Sequence, residues 1–103
     1  MPADSPEERS KVLAKVRHEL RRHLDNCEKM TDQSSYEISL DTPIAITPSE
    51  EKAIVRHIDA SHGDRFIVDM AFVRLRKSKN RPSVSRIEMH VIRRRKRRQY
   101  VRL

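Results

Sequence analysis

Leu13, Val16, Leu20, Leu24 and Cys27 recur at intervals of three and four residues, which places them along one stripe of a helix. Ser5 is a good helix cap, Pro6 fits the first helical position, and Glu7 and Glu8 suit the positive end of a helix dipole. Ser5 and Glu8 also have capping-box spacing. The pattern predicts a helix over residues 5–29 behind a flexible start at 1–4. The helix's other faces carry Lys11, Lys15, Arg17, Glu19, Arg21, Arg22 and Asp25. Such a narrow stripe either packs on a sheet or pairs with a second copy of the same helix.

The rhythm then changes to two. Tyr36, Ile38 and Leu40 alternate with Glu37, Ser39 and Asp41, the signature of a half-buried strand. Pro43 ends it, because proline has no N–H to give a ladder, and Ile44 and Ile46 continue in an extended path. Thr47, Pro48 and Glu50 open a second helix as cap, first-turn proline and capping-box acid. Ala53, Ile54 and Ile58 face it inward, and Gly63 is expected to end it in a left-handed conformation.

In residues 65–76, Phe66, Val68, Met70 and Phe72 take one face, while Ile67, Ala71, Val73 and Leu75 share the other with Asp69. Apolar residues on both faces predict a central strand, covered on each side. A third strand over 84–93 turns Ile87, Met89 and Val91 inward and Arg86, Glu88 and His90 outward. With the loop at 77–83 it makes an antiparallel hairpin. The order α-β-α-β-β gives a small α+β fold with a three-stranded sheet, one domain over 5–92 and an arginine-rich tail at 93–103. The strand–helix–strand unit places the first two strands in one sheet, running parallel.

The 103 residues are 37% charged and only 4% aromatic, so the core is modest. No apolar stretch is long enough to span a membrane, and one cysteine cannot form an internal disulfide. The polar, acidic start does not resemble a secretory signal. A cytoplasmic protein is expected, or a nuclear one in a eukaryotic or viral setting. A single glycine excludes glycine-rich phosphate loops and KH-type clamps, and a single cysteine excludes zinc-finger spacing. No cofactor is expected.

The net charge of +8 is unevenly spread. Residues 1–73 hold 10 Lys/Arg against 14 Asp/Glu, a net of −4, whereas residues 74–103 hold 13 Lys/Arg against Glu88 alone, a net of +12. Arg74 and Arg76 end the second strand, Lys77, Lys79 and Arg81 fill the loop, and Arg86 faces outward on the third strand. Arg93, Arg94, Arg95, Lys96, Arg97 and Arg98 are six consecutive cations, with Arg102 beyond them. With Arg74 and Arg86 brought together by the hairpin, the sheet is expected to carry a basic strip from loop to tail. Cations so concentrated point to a polyanion, whose phosphates release condensed counterions on binding.

The run at 93–98 resembles the arginine-rich segments of RNA-binding proteins, and also short nuclear-import signals. The resemblance implies RNA ahead of DNA as partner. Stacking aromatics for base readout are missing, so contact is expected at the backbone. The expected function is a non-enzymatic nucleic-acid-binding accessory protein. The rival is an interaction module or inhibitor that docks its cations on an acidic or nucleic-acid-binding groove of a larger protein. Helix 5–29 would then serve docking or self-association.

A weaker alternative is enzymatic. Asp69 on one strand and Glu88-Met89-His90 on the next resemble the metal-binding carboxylates of nucleases, with His90 where a lysine is usual and Glu19 as a further ligand. His57, Asp59, His62 and Asp64 allow at most a loose metal site, and Cys27 on the apolar stripe reads as a structural thiol.

Overall fold

A computed structural model describes residues 5–30, 32–76 and 84–94. The start at 1–4, the loop cations Lys77, Lys79 and Arg81, and the tail cations Arg95, Lys96, Arg97, Arg98 and Arg102 lie outside the described residues.

Helix α1 runs Pro6–Lys29, and Ser5 Oγ accepts the Glu8 N–H at 3.1 Å. Its stripe enters the core: Val16, Leu20, Leu24 and Cys27 are buried. The seam is therefore spent on the protein's own core. Burial also pushes the Cys27 thiol pKa up, against the opposing charge of Arg93, as suits a structural thiol.

Strand β1 is Ser35–Thr42, and the chain leaves it at Pro43 with Ile44 and Ile46 buried. Thr42 and Ser85, both buried, secure this departure. Their hydroxyls lie 2.6 Å apart, and each is 2.8 Å from the Ile44 carbonyl. The two hydroxyl protons fill two of these three contacts at a time: one goes to the Ile44 carbonyl and the other to the same carbonyl or to the neighbouring hydroxyl, so both buried hydroxyls have a partner.

Helix α2, Pro48–His62, has both arms of the capping box: Glu50 N–H donates to Thr47 Oγ1 at 3.2 Å, and Thr47 N–H to Glu50 Oε1 at 2.9 Å. Arg9 then fastens α1 to this cap, donating to Glu50 Oε1 at 2.5 Å, Glu50 Oε2 at 3.1 Å and the Ala45 carbonyl at 2.8 Å. Chiefly through Arg9, this network lowers the Glu50 pKa below the ordinary carboxylate range. A carboxylate whose folded pKa is depressed stabilises the fold fully above its unfolded pKa, and that share is lost as pH falls through the folded value. Urea midpoints should therefore drop on acidification through the carboxylate range. The acid-sensitive part should shrink in Arg9→Gln; an undiminished acid limb in that variant would show that Glu50 does not contribute it.

Gly63 caps α2 with φ −65° and ψ −20°, a right-handed conformation. The expected left-handed cap is not formed. The constraint is proximity instead, since a Cβ here would stand 2.4 Å from the Asp59 carbonyl oxygen.

Strands β2, Phe66–Arg74, and β3, Ser85–Arg93, form the antiparallel hairpin, and β3 also pairs antiparallel with β1. The sheet order is β1-β3-β2. The expectation that β2 is central is therefore wrong: β3 is central and β2 is an edge. Strands β1 and β2 do run in the same direction within one sheet, but with β3 inserted between them. Two-sided apolarity misled because both helices pack on one face of the sheet, leaving the other open along all three strands. On that open face Ile67 is 45% exposed and Ile92 is 41% exposed. Centrality was decided by ladder partners, and the strand that has two carries a polar outer face. Ile87, Met89 and Val91 do face inward, meeting Leu20, Leu24, Ile54, Ile58 and Phe66 in the core. Each such large apolar side chain contributes roughly 1.5–3 kcal/mol on burial.

Candidate nucleic-acid interface

The hairpin separates the cations into two ends. Arg74 lies opposite Ser85 at one end of the β2–β3 ladder, and Phe66 lies opposite Arg93 at the other. With nine residues in β3, these ends are roughly 27 Å apart at strand rise. Arg74 and Arg76, both exposed, lead into the loop end. Neither has an ion-pair partner among the described residues.

At the tail end, two candidate contact residues have structural work. The inward phase of β3 continues to Arg93, whose side chain lies on the helix side of the sheet. Its Nη2 donates to the Cys27 carbonyl at 2.6 Å, the Met30 carbonyl at 2.7 Å and Tyr36 Oη at 3.1 Å. The guanidinium carbon also stands 5.4 Å from the Phe66 ring centroid. These carbonyls lie at the C-terminus of α1, where Cys27 also accepts the Met30 N–H at 3.2 Å and a cation suits the helix dipole. The Tyr36 hydroxyl donates to the Met30 carbonyl, closing the group. Next, Arg94 gives its backbone N–H to the Arg65 carbonyl and its Nε to the Gly63 carbonyl, at 2.9 and 2.8 Å.

Between the two ends the expected strip is interrupted. Register places Asp41, Arg86 and Val73 in one cross-strand row of the open face, Ser39, Glu88 and Ala71 in the next, and Glu37, His90 and Asp69 in a third. Arg86 is occupied by its neighbour, with Nε donating to Asp41 Oδ1 at 2.7 Å, and this pairing raises the guanidinium pKa further. Small Ser39 and Ala71 beside Glu88 leave a depression of 430 Å³ lined also by Glu37, Asp69 and His90. This middle ground is acidic. Arg74 and Arg86 come from adjacent ladder positions, but strand alternation sends their side chains to opposite faces.

Asp69 and Glu88 share the open face as diagonal neighbours, a spacing at which Cα atoms stand about 7–8 Å apart. Among the described residues the one group whose ligand atoms converge is elsewhere: Asp25, Glu28 and His62, within 4.8 Å of one another. Those atoms are already engaged. His62, buried, gives its Nε2 proton to Asp25 Oδ1 at 2.8 Å, and Glu28 accepts from Arg65 Nη1 at 2.6 Å. The His62 hydrogen bond is the main reason that the Asp25 pKa is lowered. An arginine already neutralising one carboxylate makes this an ion-pair network joining α1, α2 and the start of β2. Of the four residues grouped by spacing around the end of α2, His62 takes part and so does Asp64, which accepts from Arg65 Nε at 3.2 Å.

One cluster escaped the sequence reading. Arg17 and Arg21 stand one turn apart on α1 beside the buried stripe, and His57 stands on α2 beside buried Ile58. His57 feels both arginines across the seam between the helices: burial first, then Arg21 and Arg17, lower its pKa. Position 17 follows stripe residue 16 and position 21 follows stripe residue 20, which marks a helix margin, but nothing local says which helix lies along that margin.

Compared with protein-family models, curated proteins and solved structures, the chain matches none. Among the described residues no helix is long and apolar enough to cross a membrane.

Proposed function

We propose that the protein is a non-enzymatic accessory factor that binds nucleic acid by its phosphates, RNA ahead of DNA. Contact is made at two cationic ends. Arg74 and Arg76, with Lys77, Lys79 and Arg81, form one end. Arg95, Lys96, Arg97, Arg98 and Arg102 form the other.

The observation that carries this reading is the charge the fold leaves unneutralised. Residues 74–103 hold 13 Lys/Arg against one acid. Of the five cations there that the structure describes, Arg86 alone is paired with a carboxylate. Arg93 and Arg94 bind neutral carbonyls and so keep their full charge at the root of the run. Concentrated positive charge of this kind binds a phosphodiester backbone by releasing its counterions. Arginine adds a planar fork that suits phosphate oxygens. The acidic patch of Glu37, Asp69 and Glu88, spread over two neighbouring cross-strand rows, repels the same backbone, so the open face of the sheet stays outside the contact. RNA is favoured because single arginine-rich segments adapt to folded RNA when they bind.

Binding of a short single-stranded RNA to the full chain across a salt series tests the reading. Affinity is expected to fall linearly in log–log form as salt rises, and affinity indifferent to salt contradicts it.

A further inference from the structure

We propose that the outer edge of β2 pairs antiparallel with β2 of a second copy of the chain, about a twofold axis at Met70. In the sheet order β1-β3-β2 each outer strand has one edge that no other strand pairs among the described residues, but the two edges differ. On the open face β1 carries Glu37, Ser39 and Asp41, and Pro43 follows it, features that discourage further pairing. On the same face β2 carries Ile67, Ala71 and Val73 with Asp69 alone among them, and Ile67 and Val73 are 45% and 37% exposed. The strand contains no proline, lysine or glycine. A long apolar edge of this kind is a template for another strand.

Hydrogen-bond direction decides what that edge offers. At the two ends of the β2–β3 ladder, Arg94 N–H donates to the Arg65 carbonyl at 2.9 Å and Leu75 N–H to the Val84 carbonyl at 2.8 Å. Alternate residues of an antiparallel strand address the same neighbour, so the odd-numbered residues of β2 turn to β3 and the even-numbered ones to the outer edge. A twofold axis at Met70 sets Met70 against its own copy, Val68 against the partner's Phe72 and Phe66 against the partner's Arg74. All are even, so each pair exchanges backbone hydrogen bonds. The odd residues then form the close, non-bonded pairs. Ile67 meets the partner's Val73, so exposed apolar side chains cover each other, and Asp69 meets the partner's Ala71. Just beyond the strand, Arg76 meets the partner's Asp64. Arg76 has no ion-pair partner among the described residues, and the Asp64 side chain is 79% exposed. Moving the axis to Asp69 would set two carboxylates face to face. Moving it to Ala71 would take Val73 from Ile67 and set it against Asp69.

The contact is isologous and closes on itself, giving a six-stranded sheet in the order β1-β3-β2-β2-β3-β1. In that sheet β2 is interior, which accounts for the two-sided apolarity that its sequence shares with central strands. The inference rests on ladder register and does not depend on the nucleic-acid reading.

The test is sedimentation velocity of the full chain without nucleic acid, over a range of protein concentrations. A monomer–dimer equilibrium is expected, with a dissociation constant on the order of 10 μM for an interface of this small size. Arg76→Asp and Asp64→Arg each set like charges opposite one another at two symmetry-related places, and each should weaken the dimer about five- to tenfold. The double variant Arg76→Asp/Asp64→Arg restores opposite charges and should recover the parent affinity. Both positions are exposed, and thermal melts confirm that each variant is folded. Hydrogen exchange read by NMR supplies the location: the amides of Val68, Met70 and Phe72 should exchange on the order of tenfold more slowly at concentrations that favour the dimer.

A chain that stays monomeric up to about 1 mM, far above that constant, overturns the proposal. So does a dimer that leaves those three amides unprotected, which places the contact elsewhere. Amides protected equally at every concentration in a monomer assign the edge to a segment of the same chain, and that also overturns it. A double variant as weak as its two parents removes the register centred on Met70. RNA binding that proves insensitive to salt would remove the nucleic-acid reading and leave these measurements standing.

Discussion

Arg93→Ala is expected to lower unfolding stability by about 3 kcal/mol, a large effect for a residue that begins a run of six cations. Charge-assisted hydrogen bonds contribute roughly 1.5–3 kcal/mol, and a partly desolvated cation over an aromatic face adds about 1 kcal/mol. Arg93 makes both kinds of contact, to the Cys27 and Met30 carbonyls and to Phe66. Removing it also strips a partner from carbonyls at the end of α1. Arg93→Lys should recover less than half of the loss, because an ammonium on a flexible stem cannot reproduce the planar fork. Arg94→Ala, at an exposed position with one carbonyl contact, should cost about 1 kcal/mol. Urea denaturation of the three variants checks this. An Arg93→Ala midpoint indistinguishable from that of the parent would place Arg93 among the solvated cations.

The same contrast shows what the sequence made legible. Helix starts were readable because caps are local. Ser5 and Thr47 satisfy N–H groups three residues away, so their meaning does not depend on the rest of the fold. Inward faces were also readable, since Ile87, Met89 and Val91 share one phase. Sheet order was not, because the choice of β3 as the central strand is made by ladders between residues far apart in the chain. Arg93 carried a signal that composition hid. It has the odd-numbered phase of Val91, which sends it to the helix side, whereas six cations in a row read as equivalent. The cluster of Arg17, Arg21 and His57 depends on which helix lies beside α1, and that is settled only by packing. The continuous strip failed for a related reason, since alternation parts Arg74 from Arg86 and cross-strand pairing gives Arg86 to Asp41.

Removing residues 95–103 is expected to leave the fold intact and to weaken RNA binding on the order of a thousandfold at about 0.1 M salt. The deletion takes away Arg95, Lys96, Arg97, Arg98 and Arg102 and leaves both anchors, Arg93 and Arg94, in place. The boundary matters: a deletion beginning at residue 93 would also uncap α1, mixing a stability loss with a binding loss. If each lost cation had engaged one phosphate of a single strand, the log–log salt slope should become shallower by about 0.7 per cation. A shortened chain that keeps its urea midpoint and loses RNA affinity assigns these cations to contact. One that keeps both assigns contact elsewhere.

The most direct measurement compares log–log salt slopes for a short single-stranded RNA bound by the full chain and by the chain ending at Arg94. For the full chain a straight line of steep negative slope is expected. For the shortened chain a slope shallower by roughly three to four is expected. Two parallel lines, or a full-chain affinity that does not change with salt, would contradict phosphate binding through the arginine-rich end.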